Sequence, residues 1–217
     1  ITADIVPNGK GESQVTLKWN QELAFTDSFE DYADFATGSF GGWTSLDLDG
    51  QIVYPISLQG SIISFPGSGT QQNPTAIAPI VFNPYTTVPA MMPTDQAMKP
   101  VTGNKEILFF SPQQYTANKW LISPQLDIRD GYKLSVDAKS YSDMYPEKLE
   151  FAVSTEGSDP TDFTVISKAE NMPASQWTKY VTDLSAYAGQ TVRLGVHYYT
   201  TDGFFAQMDN FTVGPAE

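Results

Sequence analysis

Period-two alternation is the feature that most narrows what this chain can fold into. Val15, Leu17 and Trp19 alternate with Thr16, Lys18 and Asn20, and the beat returns at 191–199, where Val192, Leu194, Val196 and Tyr198 alternate with Arg193, Gly195, His197 and Tyr199. Side chains two residues apart share one face of a strand, so each such run reads as a strand with one buried face. Helical periodicity is nearly absent. Further strands are expected at 1–6, 24–30, 42–48, 51–58, 61–65, 76–82, 105–110, 120–123, 133–140, 148–154, 163–168, 178–184 and 204–213, with Gly, Pro, Asp and Asn between them. Many short strands at roughly 8–12 residue spacing point to a sandwich or barrel. The expectation is an all-β jelly-roll sandwich of two antiparallel sheets.

Two stretches break the regularity. The texture changes abruptly at Phe25, so residues 1–21 are read as an arm or the remnant of a preceding module, and 22–217 as the main domain. Residues 66–104 hold Pro66, Pro74, Pro79, Pro84, Pro89, Pro93 and Pro100, interleaved with Asn83, Tyr85, Met91, Met92 and Met98. Proline cannot donate to a central ladder, so this segment is expected to be loop and edge material. It is read either as a functional loop or as a packed cover over one sheet face, with its methionines filling gaps.

Composition removes whole classes of chemistry. The 217 residues contain no cysteine, which excludes disulfides, thiolate nucleophiles, Fe–S ligation and Cys-based zinc sites. The one histidine, His197, excludes His-rich metal cages and leaves one imidazole for general-base work. Lys and Arg total 12 against 25 Asp and Glu, so 12 − 25 gives −13 at pH 7, which argues against binding nucleic acid. No apolar run reaches the roughly 20 residues a membrane helix requires, so membrane insertion is not expected. Any metal should be an oxygen-ligand cation such as calcium.

An ordered set of motifs then points to a family. Thr26-Asp27-Ser28-Phe29-Glu30, Gly42-Trp43, Asp47-Leu48-Asp49-Gly50, 118–124 (NKWLISP), 149–155 (LEFAVST), Trp177, 183–190 (DLSAYAGQ) and Met208-Asp209-Asn210-Phe211 follow one another over residues 25–213. The set resembles the cleaved-adhesin, or choice-of-anchor J, jelly-roll domain, which is similar to the adhesin modules of the gingipains and to MAM-like sandwiches. The leading residues, ending in 15–20 (VTLKWN), resemble the first strands of a fibronectin type III domain. The resemblance implies a secreted or surface-anchored protein of Bacteroidota-type bacteria, carrying other domains in a larger chain. It implies adhesion or ligand binding without catalysis, carbohydrate-binding-module-like, toward carbohydrate or a host or matrix protein. It also implies calcium, with Glu30 and Asp209 as ligands and Asp27 and Asn210 as helpers.

Other sites are weighed on the residues themselves. Asp47-Leu48-Asp49-Gly50 is either the start of a calcium loop or a hairpin turn. Aromatic rings offer flat faces to a pyranose, so His197, Tyr199 and Arg193 on one strand face, with Tyr141 and Tyr145, form the expected ligand-binding set, the alternative being that this strand face is simply a solvated sheet face. Tyr198, Phe204, Trp43 and Tyr85 are further rings near turns. A Ser-His-Asp triad lacks its Gly-x-Ser-x-Gly elbow. A glycosidase pair drawn from Glu106, Asp143, Glu147 and Glu150 is the enzymatic alternative, and a structural spacer is the third reading. Asn210-Phe211-Thr212 matches the glycosylation triplet by chance.

Overall fold

A computed structural model gives the structure of residues 2–7, 13–18, 23–58, 61–70 and 72–215, with backbone alone at 2–7, 13–18 and 58. Its strands are β1 (Thr2–Pro7), β2 (Ser13–Lys18), β3 (Phe25–Asp27), β4 (Ser39–Phe40), β5 (Trp43–Asp47), β6 (Ser57–Leu58), β7 (Ser61–Ile62), β8 (Ile80–Phe82) and β9 (Glu106–Phe110). The second half adds β10 (Lys119–Ile122), β11 (Leu126–Asp127), β12 (Tyr132–Ser140), β13 (Leu149–Ser154), β14 (Thr164–Ala169), β15 (Thr178–Asp183), β16 (Thr191–Tyr198) and β17 (Phe205–Pro215). The expected β-sandwich is what forms. Ile1, residues 19–20 at the end of the second expected strand, and the expected module boundary at 21–22 lie outside the described residues, while β1 and β2 pair with each other.

Two long strands organise the sandwich. In the first sheet the order is β14-β13-β16-β10-β5-β4, with β11 continuing beside β16 where β10 ends. In the second the order is β15-β12-β17-β9-β8, with β3 continuing beside β17 where β9 ends. Alternation along β16 sends Val192, Leu194, Val196 and Tyr198 into the core between the sheets, where they meet Phe109, Leu134, Val136 and Met208 from the facing sheet. In β17 a register shift against β12 and a positive φ of 53° at Asn210 absorb one residue, so Met208 and Phe211 both face the core although three positions separate them.

The proline-rich segment and the chain just before it build a second core. Ile56, Ile63, Phe65, Ile77, Met91 and Met98 pack against Ile80, Phe82, Leu108, Phe110 and Phe205 on the outer face of the second sheet. The segment is therefore a packed cover, its backbone mostly irregular because its prolines cannot join a ladder. The strand expected at 51–58 shrinks to β6 and a single bridge from Val53 to Pro112. The one at 24–30 stops at Asp27, whose carboxylate takes the Phe29 N–H at 2.7 Å and turns the chain to φ 63° at Phe29.

Candidate functional site: a groove at the loop end

Strand alternation places Arg193, Gly195, His197 and Tyr199 together on the outer face of the first sheet, as the pattern requires. Gly195 is the floor there: a Cβ at that position would press on the rings of Phe163 and Trp120 at 3.0 Å. Those rings begin a row. Phe163 and Trp120 lie 5.4 Å apart by centroid, Trp120 and His197 stack at 4.3 Å and 12°, and His197 and Tyr199 stack at 5.8 Å and 28°. Lys168 closes the row over the Tyr199 ring at 5.4 Å. The ring faces are thus turned largely toward one another.

Polar groups pin the same row. His197 Nδ1 meets Glu150 Oε2 at 2.9 Å and Nε2 meets Asn118 Oδ1 at 3.1 Å, while Trp120 Nε1 donates to the same Asn118 oxygen at 3.0 Å. Burial lowers the His197 pKa against the pull of the Glu150 carboxylate. Burial would raise Glu150, but the bonds from Lys168 and His197 outweigh it and hold its carboxyl below the usual range. Tyr199 donates to Glu170 at 3.1 Å, and Arg193 donates to the Ser123 carbonyl at 3.0 Å, near the other end of β16.

A different surface is concave. At one end of the sandwich, Tyr54, Tyr145, Asp202, Gly203 and Phe204 line a groove of about 280 Å³. Three segments meet there: the approach to β6, the β12–β13 loop and the β16–β17 loop. Among the described residues, the hydroxyls of Tyr54 and Tyr145 and the carboxylate of Asp202 have no protein partner. Tyr145 is 44% exposed, and Tyr141 stands behind the groove, tilted against Phe204 at 5.3 Å and stacked on Phe205 at 4.5 Å.

The groove's wall is fixed from beneath by Glu147. This fully buried carboxylate accepts from Tyr198 Oη and from the Phe204 N–H, both at 2.6 Å. Burial raises its pKa, and those bonds oppose the rise. Gly203 leaves room for it, since a Cβ there would strike the carboxylate. The Ser111 hydroxyl takes the Gly203 N–H at 3.2 Å, and Thr116 and Thr201 bridge the neighbouring loops, so the wall is set before any ligand arrives.

The expected ligand set therefore divides. Tyr145 lines the groove and Tyr141 supports it; His197 and Tyr199 belong to the ring row; Arg193 stands apart from both. The residues considered for glycoside hydrolysis are placed in separate settings. Glu147 is buried beneath the wall, Glu150 serves His197 and Lys168, and Asp143 accepts the Ala174 N–H at 2.8 Å. Glu106 is sealed under the cover, where burial pushes its pKa well up.

The metal candidates are also engaged by protein donors. Asp27 accepts from the Phe29 N–H, Tyr32 Oη and Trp43 Nε1. Glu30 Oε1 takes the N–H groups of Asn104 and Lys105 at 3.0 and 2.7 Å, and Asp209 takes those of Thr102 and Asn210 at 2.9 and 2.7 Å. Among the described residues, no group of three or more His, Cys, Asp or Glu side chains is arranged to hold a metal ion. Asp47 and Asp49 share the ammonium of Lys119 at 2.8 and 3.2 Å, with the Lys119 side chain fully buried. As placed, with N–H, O–H and ammonium donors already on them, these carboxylates do not make a calcium donor set among the described residues.

Comparison with known proteins bears on the fold. No protein-family model and no curated protein sequence matches the chain. Among solved structures, the K2 cleaved adhesin domain of Lys-gingipain is similar at a TM-score of 0.57 and 16% identity, over 87% of this chain and 96% of that one. The K3 domain of Lys-gingipain from Porphyromonas gingivalis W83 gives 0.51 and 14%, over 91% and 100%. A structure from work on carbohydrate-binding modules of the β-sandwich superfamily gives 0.50 and 12%, over 96% of this chain and 71% of that one. The class is thus the β-sandwich, and the fold in particular is that shared by the cleaved adhesin domains.

Proposed function

We propose that this domain is a non-catalytic binding module that takes carbohydrate in the groove between Tyr54, Tyr145, Asp202 and Phe204, on a secreted or surface-held protein. The observation that carries the reading is the groove itself: aromatic surface beside two phenol hydroxyls and a carboxylate that no protein group among the described residues engages. A sugar ring presents that pairing in reverse, with C–H faces for the rings and hydroxyls for the polar atoms. The groove is at the lower end of ligand pockets, which run from roughly 300 Å³ upward, so it suits one sugar unit rather than a long chain. The likeness of fold to adhesin and carbohydrate-binding modules supports the reading without choosing the ligand.

The test is a glycan array of the 217-residue chain, followed by calorimetric titration of the strongest hits against wild type, Tyr145→Ala and Asp202→Asn. We expect Tyr145→Ala to weaken glycan binding about tenfold or more, equivalent to roughly 1.4 kcal/mol, with little change in thermal stability. Glycan hits indifferent to Tyr145→Ala would move the site elsewhere. No glycan hits, with capture of a matrix protein instead, would overturn the carbohydrate reading in favour of protein recognition.

A further inference from the structure

The turn before β9 folds back toward the early loop at 30–34. Gly103 adopts φ 59° directly against the Glu30 carboxyl, where a Cβ would collide. That close approach lets Glu30 Oε1 take the N–H groups of Asn104 and Lys105. The same turn carries the Lys105 side chain into the loop, where its ammonium donates to the Glu30 carbonyl at 2.9 Å, donates to the Tyr32 carbonyl, and pairs with Asp34 Oδ1 at 3.3 Å.

The stoichiometry is closed. A lysine ammonium has three donors and no acceptor, and here it faces three oxygens. Two carbonyls and a carboxylate are hard oxygens of the kind a calcium ion also selects, and they would supply three of its six to eight ligands. Asp34 extends the tie to the cover, since it accepts from Thr86 Oγ1 at 2.8 Å and from Asn83 Nδ2 at 3.1 and 3.2 Å. One ammonium thus fastens the early loop, the start of β9 and a turn of the proline-rich cover.

We propose that the Lys105 ammonium is the resident cation of this domain, filling an oxygen cradle beside the carboxylates that the family resemblance assigns to calcium, so that the fold is locked without metal. Lys119 supports the principle independently. It sits fully buried between Asp47 and Asp49, the other acidic cluster whose spacing suggested a calcium loop.

The experiment is thermal unfolding of the 217-residue chain in chelator and in millimolar calcium, for wild type and Lys105→Ala, with terbium luminescence as the direct probe of an ion near Tyr32 and Trp43. Wild type should melt at the same temperature in both buffers and give no sensitised terbium signal. Lys105→Ala should melt about 5–10 °C lower in chelator, recover part of that loss in calcium and gain the terbium signal.

A wild-type melt that rises with calcium would overturn the proposal, as would a Lys105→Ala variant as stable as its parent. A destabilised Lys105→Ala that calcium does not restore would overturn the equivalence of ammonium and metal. Should that variant fail to fold, Lys105→Arg keeps the charge in a different geometry, and the wild-type comparison remains decisive alone. These readouts concern stability and not ligand capture, so they are independent of what the groove binds.

Discussion

The ring row on the first sheet and the groove at the loop end are both built from aromatic residues, yet they are opposites. In the row, Phe163, Trp120, His197 and Tyr199 use one another's faces, and Lys168 covers the end. In the groove, Tyr54, Tyr145 and Phe204 line a space, and the two tyrosine hydroxyls and the Asp202 carboxylate have no protein partner among the described residues. An aromatic cluster becomes a binding site only where ring faces and hydrogen-bonding groups are left over after folding. On the reading proposed above, the row serves stability and the groove takes the ligand.

The strongest way to break that division is Trp120→Ala. Trp120 is 7% exposed, packs with Ile122 and Ala152 and stacks on His197. Its loss should cost about 3 kcal/mol or more of unfolding free energy, read by denaturant titration. Glycan affinity should stay near the wild-type value. A large fall in affinity with modest destabilisation would make the row part of the site after all.

Glu147→Gln probes the link between scaffold and groove. The carboxylate holds both Tyr198 Oη and the Phe204 N–H, and an amide of the same shape can accept at only one oxygen. We expect a destabilisation of about 1–3 kcal/mol, together with weaker glycan binding because the Phe204 wall is released. Unchanged affinity in a clearly destabilised variant would show that the wall does not need Glu147.

These two substitutions also mark how much could be read from the sequence. Alternation fixes faces, and it assigned every residue of β16 to its correct side. It fails where the partner of a side chain comes from a distant segment. Tyr54, Tyr145 and Phe204 meet only because β12, β13, β16 and β17 bring their loops to one end, and no local pattern encodes that meeting. Nor does alternation say whether exposed rings will stack on each other, which is why His197 and Tyr199 read as an open platform. The cover was legible through its prolines, but its packing on Leu108, Phe110 and Phe205 was not. The carboxylate motifs at 27–30 and 47–50 were visible, whereas the lysines near them are distant in sequence: Lys105, whose ammonium meets the Glu30 and Tyr32 carbonyls and Asp34, and Lys119, which lies between Asp47 and Asp49.

A paired comparison sharpens the contrast at smaller cost. Tyr145→Phe removes a hydroxyl that has no partner among the described residues, and Tyr199→Phe removes a hydroxyl already bonded to Glu170 at 3.1 Å. The first should weaken glycan binding several-fold, by about 1 kcal/mol, and leave stability alone. The second should leave binding alone and change stability by no more than about 0.5–1.5 kcal/mol. The reverse pattern, measured by the same titrations and melts, would exchange the roles of the two surfaces.

The smallest expected effect lies within the row. Both nitrogens of His197 face oxygens that can only accept, Glu150 Oε2 and Asn118 Oδ1, so the doubly protonated ring would satisfy both contacts. Burial works against that charge and lowers the pKa. With the folded value below the unfolded one of about 6.5, the unfolded chain binds more protons in the interval between them. Stability contributed by the neutral ring is therefore complete above that interval and is lost as pH falls through it. Each unit of depression is equivalent to about 1.4 kcal/mol. An NMR titration of the only imidazole should give a value below 6.5, and His197→Gln should flatten the stability profile in the same window. A value above 6.5 would mean that the pairing with Glu150 outweighs burial, and the row would then be held by an ion pair at neutral pH rather than by packing of uncharged rings.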